Sequence, residues 1–423
     1  MNLSMEGYGL SSRGAANVES IWPRISKAVV DREKESPCID MGTSENWMIR
    51  EEVVKIYQKA LQDNLAHRHL SYPNGFAGDS DLLDALVAFF NKYFKPFIPV
   101  LREHLATAPG AAFSLDSLLY NICQPGDGLL VLAPCWNGFD WILNVRSSVQ
   151  PVFVSMESFD EVFTSKVVST LENVFGESSC PIKGLLLTNP HNPFGQCYPK
   201  SIIVEMIRFC DSKRIHFISD ELYAMSSFTN PEIPALPFVS TLQLDIQGIG
   251  CDLSRIHTIW STSKDLGSSG LRMGCCVTQG NKPLATGLAL ASNTQMSSLT
   301  AIATAGILMS PELPRLFALN SRRLAEAYER MASMLKKHGL HYIPANIGPF
   351  VFVKIVPNAK TWDHEMEVVQ ACKEAGVSIS AGRSYHVPES EKGWARLNFA
   401  IQPADLDEAL RRLATVLNRS KGL

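Results

Sequence analysis

RIHTIWSTSKDLGSSGLR, Arg255 to Arg272, begins as an apolar β-type run and ends in a loop of hydroxyls and glycines closed by an arginine. A single lysine, Lys264, stands where the run stops. Two hydroxyls, Ser261 and Ser263, and the Arg272 guanidinium can bind phosphate oxygens, the arginine through two parallel bonds. A lysine partly withdrawn from water beside them loses basicity and can form an imine with an aldehyde. Taken alone, the segment also reads as a solvated lysine behind a strand.

Working upstream, RIHFISDELYAMSSF places Asp220 at the end of a second buried run, with Tyr223 three residues on. A carboxylate there needs a cationic partner, because burying it bare is costly. A pyridinium nitrogen is such a partner, and an aspartate holding it protonated supports the electron sink of pyridoxal phosphate. Tyr223 could then reach the ring hydroxyl. The plainer reading is that Asp220-Glu221 caps a helix. In LLLTNPHNPFGQ, Asn189 and Asn192 occupy a turn after a strand, where Asx-turns would suffice. In the functional reading the Asn192 side chain donates to the ring oxygen. TAPGAAFSLDSLLYNICQPGD opens a helix at Ala111-Ala112, whose small side chains let backbone N–H groups approach a phosphate. Trp136, in APCWNGFD, is a flat platform for a ring or an ordinary core residue. Each element is modest alone. Their order along the chain, each at a strand end where open α/β sheets bind ligands, is not.

Six apolar runs between Leu105 and Gln279 alternate with helical stretches, which predicts a mainly parallel sheet between helices. They are Gly128–Pro134, Val149–Met156, Ile182–Pro190, Arg214–Glu221, Arg255–Ser263 and Met273–Gln279. Beyond Pro311 a long helical pattern ends in Lys-Lys-His-Gly. PFVFVKIV and WARLNFAI then read as strands and DLDEALRRLATVL as a last helix, giving a smaller α+β domain. The expected division is an N-terminal arm with helices over 1–60, a large cofactor domain over 61–310 and a small C-terminal domain over 311–423.

The chain has 423 residues, 46% of them hydrophobic, enough for more than one domain. Its 39 basic and 42 acidic residues are interspersed, so neither nucleic acid nor an anionic membrane is an expected partner. No run has the length of a membrane span, and the N-terminus lacks a signal-peptide pattern. The ending Ser-Lys-Gly-Leu is close to a peroxisomal address without being one, so a soluble cytoplasmic protein is expected. Ten scattered cysteines without a C-x-x-C pair read as reduced core thiols, Cys275-Cys276 as strand filler, and no metal site is expected. No G-x-x-x-x-G-K-[ST] and no strand-linked G-x-G-x-x-G is present, which sets aside a nucleotide-dependent enzyme.

The ordered motifs resemble fold-type I pyridoxal-phosphate enzymes, the aspartate aminotransferase superfamily, and within it the 1-aminocyclopropane-1-carboxylate (ACC) synthase-like branch. Its marks are Met41-Gly-Thr-Ser-Glu45-Asn46, Asn137-Gly138-Phe139-Asp140, Ser263-Lys-Asp-Leu-Gly267 and Gly393-Trp-Ala-Arg396-Leu-Asn-Phe-Ala400, and the likeness runs over about residues 35–420. The resemblance implies that Lys264 carries the cofactor and moves the Cα proton. It implies that Asp220, Tyr223 and Asn192 hold the ring under Trp136, and that Ala111, Ala112, Ser261, Ser263 and Arg272 bind the phosphate. Arg396 would grip the substrate carboxylate, with Glu45 and Asn192 beside the substrate. Tyr72 matches a tyrosine that relatives extend into a neighbouring subunit's site, which implies a homodimer and makes Tyr72 a catalytic candidate with Lys264. ACC synthases carry Ala-Glu-Asn-Gln where this chain has Ser44-Glu45-Asn46-Trp47. They have two tyrosines where it has Cys135-Trp136, and Tyr-His-Gly-Leu-Pro where it has Tyr72-Pro-Asn-Gly-Phe. S-adenosylmethionine therefore does not carry over as substrate. The branch also resembles carbon–sulfur lyases of gliotoxin-type fungal pathways. Carbon–sulfur cleavage on an amino-acid substrate in secondary metabolism is the expected reaction, with amino-group transfer to a 2-oxo acid as the alternative.

Overall fold

The computed structural model describes residues 9–33, 38–234 and 236–419; the Ser-Lys-Gly-Leu ending and the first eight residues of the N-terminal arm lie outside the described residues. Strand β1 (Ile39–Asp40) comes first, followed by β2 (Leu105–Ala108), β3 (Gly128–Ala133), β4 (Gln150–Ser155), β5 (Ile182–Thr188), β6 (His216–Asp220), β7 (Ile256–Ser261) and β8 (Gly274–Val277). β2 to β8 form one sheet in the order β2-β8-β7-β6-β5-β3-β4. β3 to β7 run parallel, and β8 lies antiparallel between β7 and β2. Every residue of β3 and of β7 is buried, as expected for strands covered by helices on both faces. All six apolar runs are strands of this sheet, shorter than the runs themselves.

The topology decides where the chemistry goes. Because β8 runs backwards, its first residues meet the ends of the parallel strands, so Arg272 returns to the edge reached by Ser261 and Ala108. Gly274 is paired with both of those residues. β2 itself was not apparent in the sequence, because Leu-Ala-Thr-Ala is short and lacks the β-branched density of its neighbours.

The C-terminal part carries a second sheet. β9 (Tyr342–Ile343), β10 (Phe350–Lys354), β12 (Ser380–Ala381) and β13 (Trp394–Asn398) form an antiparallel sheet in the order β12-β13-β10-β9. Arg396 sits on its central pair opposite Phe352. The long helical pattern is the 25-residue helix Leu313–Lys337, which ends in Lys336-Lys337 with Gly339 at φ 61°. β1 pairs in parallel with β11 (Val377–Ser378) in a separate two-stranded sheet, which ties the start of the chain to the C-terminal part. That pairing had no signal in two residues of sequence.

Lys264 is in a single helical turn, Thr262–Asp265, rather than in a strand. Beneath it, Trp260 is fully buried with its ring 4.5 Å from Phe89 and 6.0 Å from Phe90. Among the described residues no helix is long and apolar enough to cross a membrane.

Glu365, on the helix Trp362–Glu374, is fully buried and accepts three backbone N–H bonds, from Arg383 (2.7 Å), Gly393 (3.0 Å) and Trp394 (3.1 Å). It thereby ties the start of β13 to the helix behind it. Glu365→Ala leaves those donors buried and unmet, at a cost of about 3 kcal/mol. A fall of about 3 °C or more in calorimetric midpoint is expected from the entropy of a chain this long; an unchanged midpoint would refute the role.

Candidate active site

Lys264 Nζ donates to the carbonyl of Ser44 at 2.5 Å. Its environment pushes the amine down to about 8, first because burial disfavours the charge and then because Arg396 is close, with Glu45 and Asp220 pulling the other way. Asp220 ends the neighbouring strand. Its Oδ1 is buried and has no hydrogen-bond partner, and burial raises the carboxyl to about 7. An orphaned carboxylate oxygen of this kind fits a group that brings its own N–H, and a pyridinium does. Tyr223, one turn on, is buried, and burial lifts its phenol to about 12. Its hydroxyl lies 3.0 Å from Ser44 Oγ.

The loop before the helix Ala111–Ile122 faces this group. Gly110 has φ 87° and lies so close under the Arg272 guanidinium that a β-carbon would collide with it. Only glycine satisfies both demands. Arg272 donates to Ser269 O (2.9 Å) and Pro109 O (3.2 Å), which holds the guanidinium beside the start of the helix. Ser261 and Ser263 are both buried. The Ser261 hydroxyl accepts from Ser263 N at 3.1 Å and is 2.7 Å from Met273 O, so it also caps the turn that carries Lys264. A helix N-terminus, two hydroxyls and a guanidinium at one place could hold a phosphate.

Arg396 is buried and reaches across from the small sheet. Nη1 donates to Asn192 Oδ1 (3.0 Å), Nη2 to Gly42 O (2.6 Å), and Nε has no partner. Its guanidinium lies 4.9 Å from the Phe350 ring and 5.2 Å from Tyr385. Neither hydrogen-bond acceptor is anionic, so a buried cation with a spare N–H is left for a ligand carboxylate. The bond to Asn192 Oδ1 also orients that amide, leaving its NH2 to donate elsewhere.

Glu45 accepts from Arg50 (2.6 Å) and from Ser269 (2.7 Å). Burial alone would raise its carboxyl, but those two donors and the Arg50 charge hold it below the usual range. Trp136 packs edge-on to Phe139 at 5.5 Å, with its ring over Gly138. Tyr72 is 82% exposed and joins none of these hydrogen bonds within one chain. The structure therefore gathers Lys264, Asp220, Tyr223, Asn192 and Arg396 in one network, sets the Gly110 and Arg272 cradle at its rim, and leaves Tyr72 outside.

Four further residues belong to this network. Gly42 and Ser44 supply the carbonyls that receive Arg396 and Lys264. Asn46 Nδ2 donates to Lys264 O (3.2 Å) and to Asn320 Oδ1 (3.0 Å). Asp265, fully buried, accepts from Trp260 Nε1 (2.9 Å), Ser226 Oγ (2.7 Å) and Met225 N (3.1 Å), riveting the lysine turn to the tyrosine turn. Asp265 carried one signal in the sequence: an acid directly after the lysine. Backbone carbonyls carry none.

Comparison with known proteins agrees with this geometry. The family described as aminotransferase class I and II matches residues 36–413. The chain is 55% identical over 419 residues to the probable aminotransferase aclI of Aspergillus oryzae, covering 99% of this chain and all of that one. It is 29% identical over 325 residues to 1-aminocyclopropane-1-carboxylate synthase 7 of Arabidopsis thaliana, over 75% of this chain and 71% of that one. A mutant aspartate aminotransferase from Thermus thermophilus has the same fold, with a TM-score of 0.77 at 21% identity over 96% of this chain and 99% of that one. The α/β architecture, the orphaned Asp220 and the matched family agree: the chain belongs to the class I and II aminotransferases, enzymes that depend on pyridoxal phosphate.

Proposed function

We propose that this chain removes the Cα proton of an amino-acid substrate and cleaves a carbon–sulfur bond in it, as part of fungal secondary metabolism. The observation that carries the proton-transfer step is the juxtaposition of a weakly basic Lys264 amine, an unpaired Asp220 oxygen and a buried Arg396 with a free N–H. The sulfur chemistry is supported by the likeness to ACC synthases and to the lyases of gliotoxin-type pathways. The aminotransferase in the name of the Aspergillus oryzae relative favours the second reading, amino-group transfer.

Asp220, Tyr223, Asn192 and Trp136 would hold the ring of pyridoxal phosphate, and Ala111, Ala112, Ser261, Ser263 and Arg272 its phosphate. When bound, the cofactor supplies an aldehyde for the substrate amine and an electron-withdrawing ring that stabilises negative charge at Cα. Arg396 binds the α-carboxylate in place of its own unfilled bond and so turns the Cα–H toward Lys264. Lys264 Nζ takes that proton, with Ser44 O as the acceptor that keeps the released amine in reach. Asp220 stays ionised as long as an N–H faces it. A sulfur on Cβ then departs with the C–S electron pair as a thiolate, and its protonation gives a free thiol. The remaining unsaturated amine hydrolyses to pyruvate and ammonia. Glu45, held ionised, borders the substrate. We also propose a cytoplasmic homodimer in which Tyr72 serves the neighbouring site; its 82% exposure, next to Leu70 at 84%, leaves it available to a partner.

The reaction is tested by giving the holoenzyme cysteine S-conjugates, or plain amino acids with a 2-oxo acid. Pyruvate and thiol in equal amounts, both lost in Lys264→Ala, are expected. Accumulation of the pyridoxamine form without thiol would replace the proposal by transamination. Arg396→Lys loses the fork and should lower kcat/KM by about 10²-fold, equivalent to ~3 kcal/mol of lost carboxylate recognition. Equal effects on conjugates with and without an α-carboxylate would remove Arg396 from that role. Because an amine attacks an aldehyde only when neutral, cofactor uptake by apoenzyme should accelerate with pH and level off above about 8. A rate still climbing at pH 10 would mean an unperturbed lysine.

A further inference from the structure

Ser44 touches two chemistry-bearing residues through two different groups. Its carbonyl receives Lys264 Nζ and its hydroxyl lies 3.0 Å from the Tyr223 hydroxyl. Both side chains are buried, with Ser44 6% and Tyr223 3% exposed, and the Phe350 ring meets Tyr223 edge-on at 5.3 Å. Each hydroxyl has one proton and only one of the two can lie between the oxygens. If Tyr223 donates to Ser44, the serine proton is left over; if Ser44 donates to Tyr223, the phenolic proton is left over. Only the second arrangement suits a ring oxygen arriving beside Tyr223, because both protons then have acceptors.

We propose that Ser44 is a positioning residue of this site: its hydroxyl donates to Tyr223 Oη and so directs the phenolic proton to the ring oxygen of bound pyridoxal phosphate. The inference rests on the reading of Tyr223 as the partner of that oxygen. A hydrogen bond received by a phenol makes its own proton a stronger donor, since chained hydrogen bonds polarise one another. Stronger donation stabilises the ring oxygen as an anion, which lowers the pH at which the lysine–cofactor linkage loses its proton. ACC synthases carry alanine at this position, so the device distinguishes this chain from them.

The strap that carries Ser44 does not depend on the serine side chain. Asp40 Oδ1 accepts from Gly42 N (2.8 Å) and Thr43 N (2.9 Å), and Asn398 Nδ2 donates to Thr43 O (2.8 Å) and Glu45 O (2.9 Å). Ser44→Ala therefore removes the hydroxyl and keeps the carbonyl. The titratable groups facing Tyr223 and Lys264 are Asp220 from β6, Arg396 from β13, Tyr385 from the turn before it, Glu45 from the strap and Arg272 from the loop after the lysine. All stay in place in the variants.

The experiment is a spectrophotometric pH titration of the cofactor band in the holoenzyme, for wild type, Ser44→Ala, Ser44→Thr, Tyr223→Phe and the double variant Ser44→Ala/Tyr223→Phe. Ser44→Ala should raise the midpoint by about half a pH unit, the effect of a single hydrogen bond felt at one remove. Ser44→Thr, which keeps a hydroxyl, should restore it. In the Tyr223→Phe background, Ser44→Ala should add nothing. If Tyr223→Phe shifts the midpoint and Ser44→Ala does not, the serine proposal is overturned while the reading of Tyr223 stands. If Tyr223→Phe leaves the midpoint where it was, both fail. An equal shift from Ser44→Ala in both backgrounds overturns the route through Tyr223.

Discussion

A carboxylate at the end of a buried strand, with one oxygen facing no donor, is costly unless a ligand meets it. Asp220 has that position, and the rest of the site is arranged around it. Its neighbour Glu221 is equally buried but shares its oxygens among Ser219, Ser240 and Thr241. The contrast between adjacent acids separates a structural carboxylate from one kept open for a ligand. Burial raises both, yet Asp220 has only the Leu222 backbone N–H as a hydrogen-bond offset and keeps one oxygen unmet, whereas several donors serve Glu221.

The same low-polarity setting explains Lys264. An amine near Arg396 and Arg272, partly withdrawn from water, gives up its proton more readily than a surface lysine, and a neutral amine is what imine chemistry requires. The lysine turn is fixed from below by Asp265 and from the side by Asn46. The strap over Met41 to Trp47 then links the two sheets. Gly42 O receives Arg396, Ser44 O receives Lys264, and Trp47 N donates to Ala400 O at 2.9 Å. A ligand carboxylate meeting the spare Nε of Arg396 would sit on a guanidinium already bonded to the same short strap that holds the lysine.

Much of this was legible along the chain, because Asp220 and Lys264 stand at the ends of strand runs that a parallel sheet brings to one edge, to which Arg272 returns at the head of the antiparallel β8. The apolar runs were long enough to announce their strands, and Lys-Lys-His-Gly announced the end of the long helix. What stayed hidden was contact through backbone groups or between distant short segments. β1 with β11, β2 beside β8 and the carbonyls of Gly42 and Ser44 offer no side-chain pattern to read. Ser44 itself was visible as part of a family motif and as a departure from alanine, with no contact assigned to it.

The order of residue types along the chain determined the sheet, the cofactor and the identities of the groups that could serve it, because strand periodicity and ligand chemistry are local properties. Only the tertiary structure decided which oxygen of which acid would be left without a donor. It also decided that Arg396 would share Asn192 with the ring side of the site, and that a serine from the N-terminal strap would meet Tyr223. Those outcomes depend on how two sheets and one crossing strap close on each other in space, and hydrogen-bond accounting exists only once they have closed.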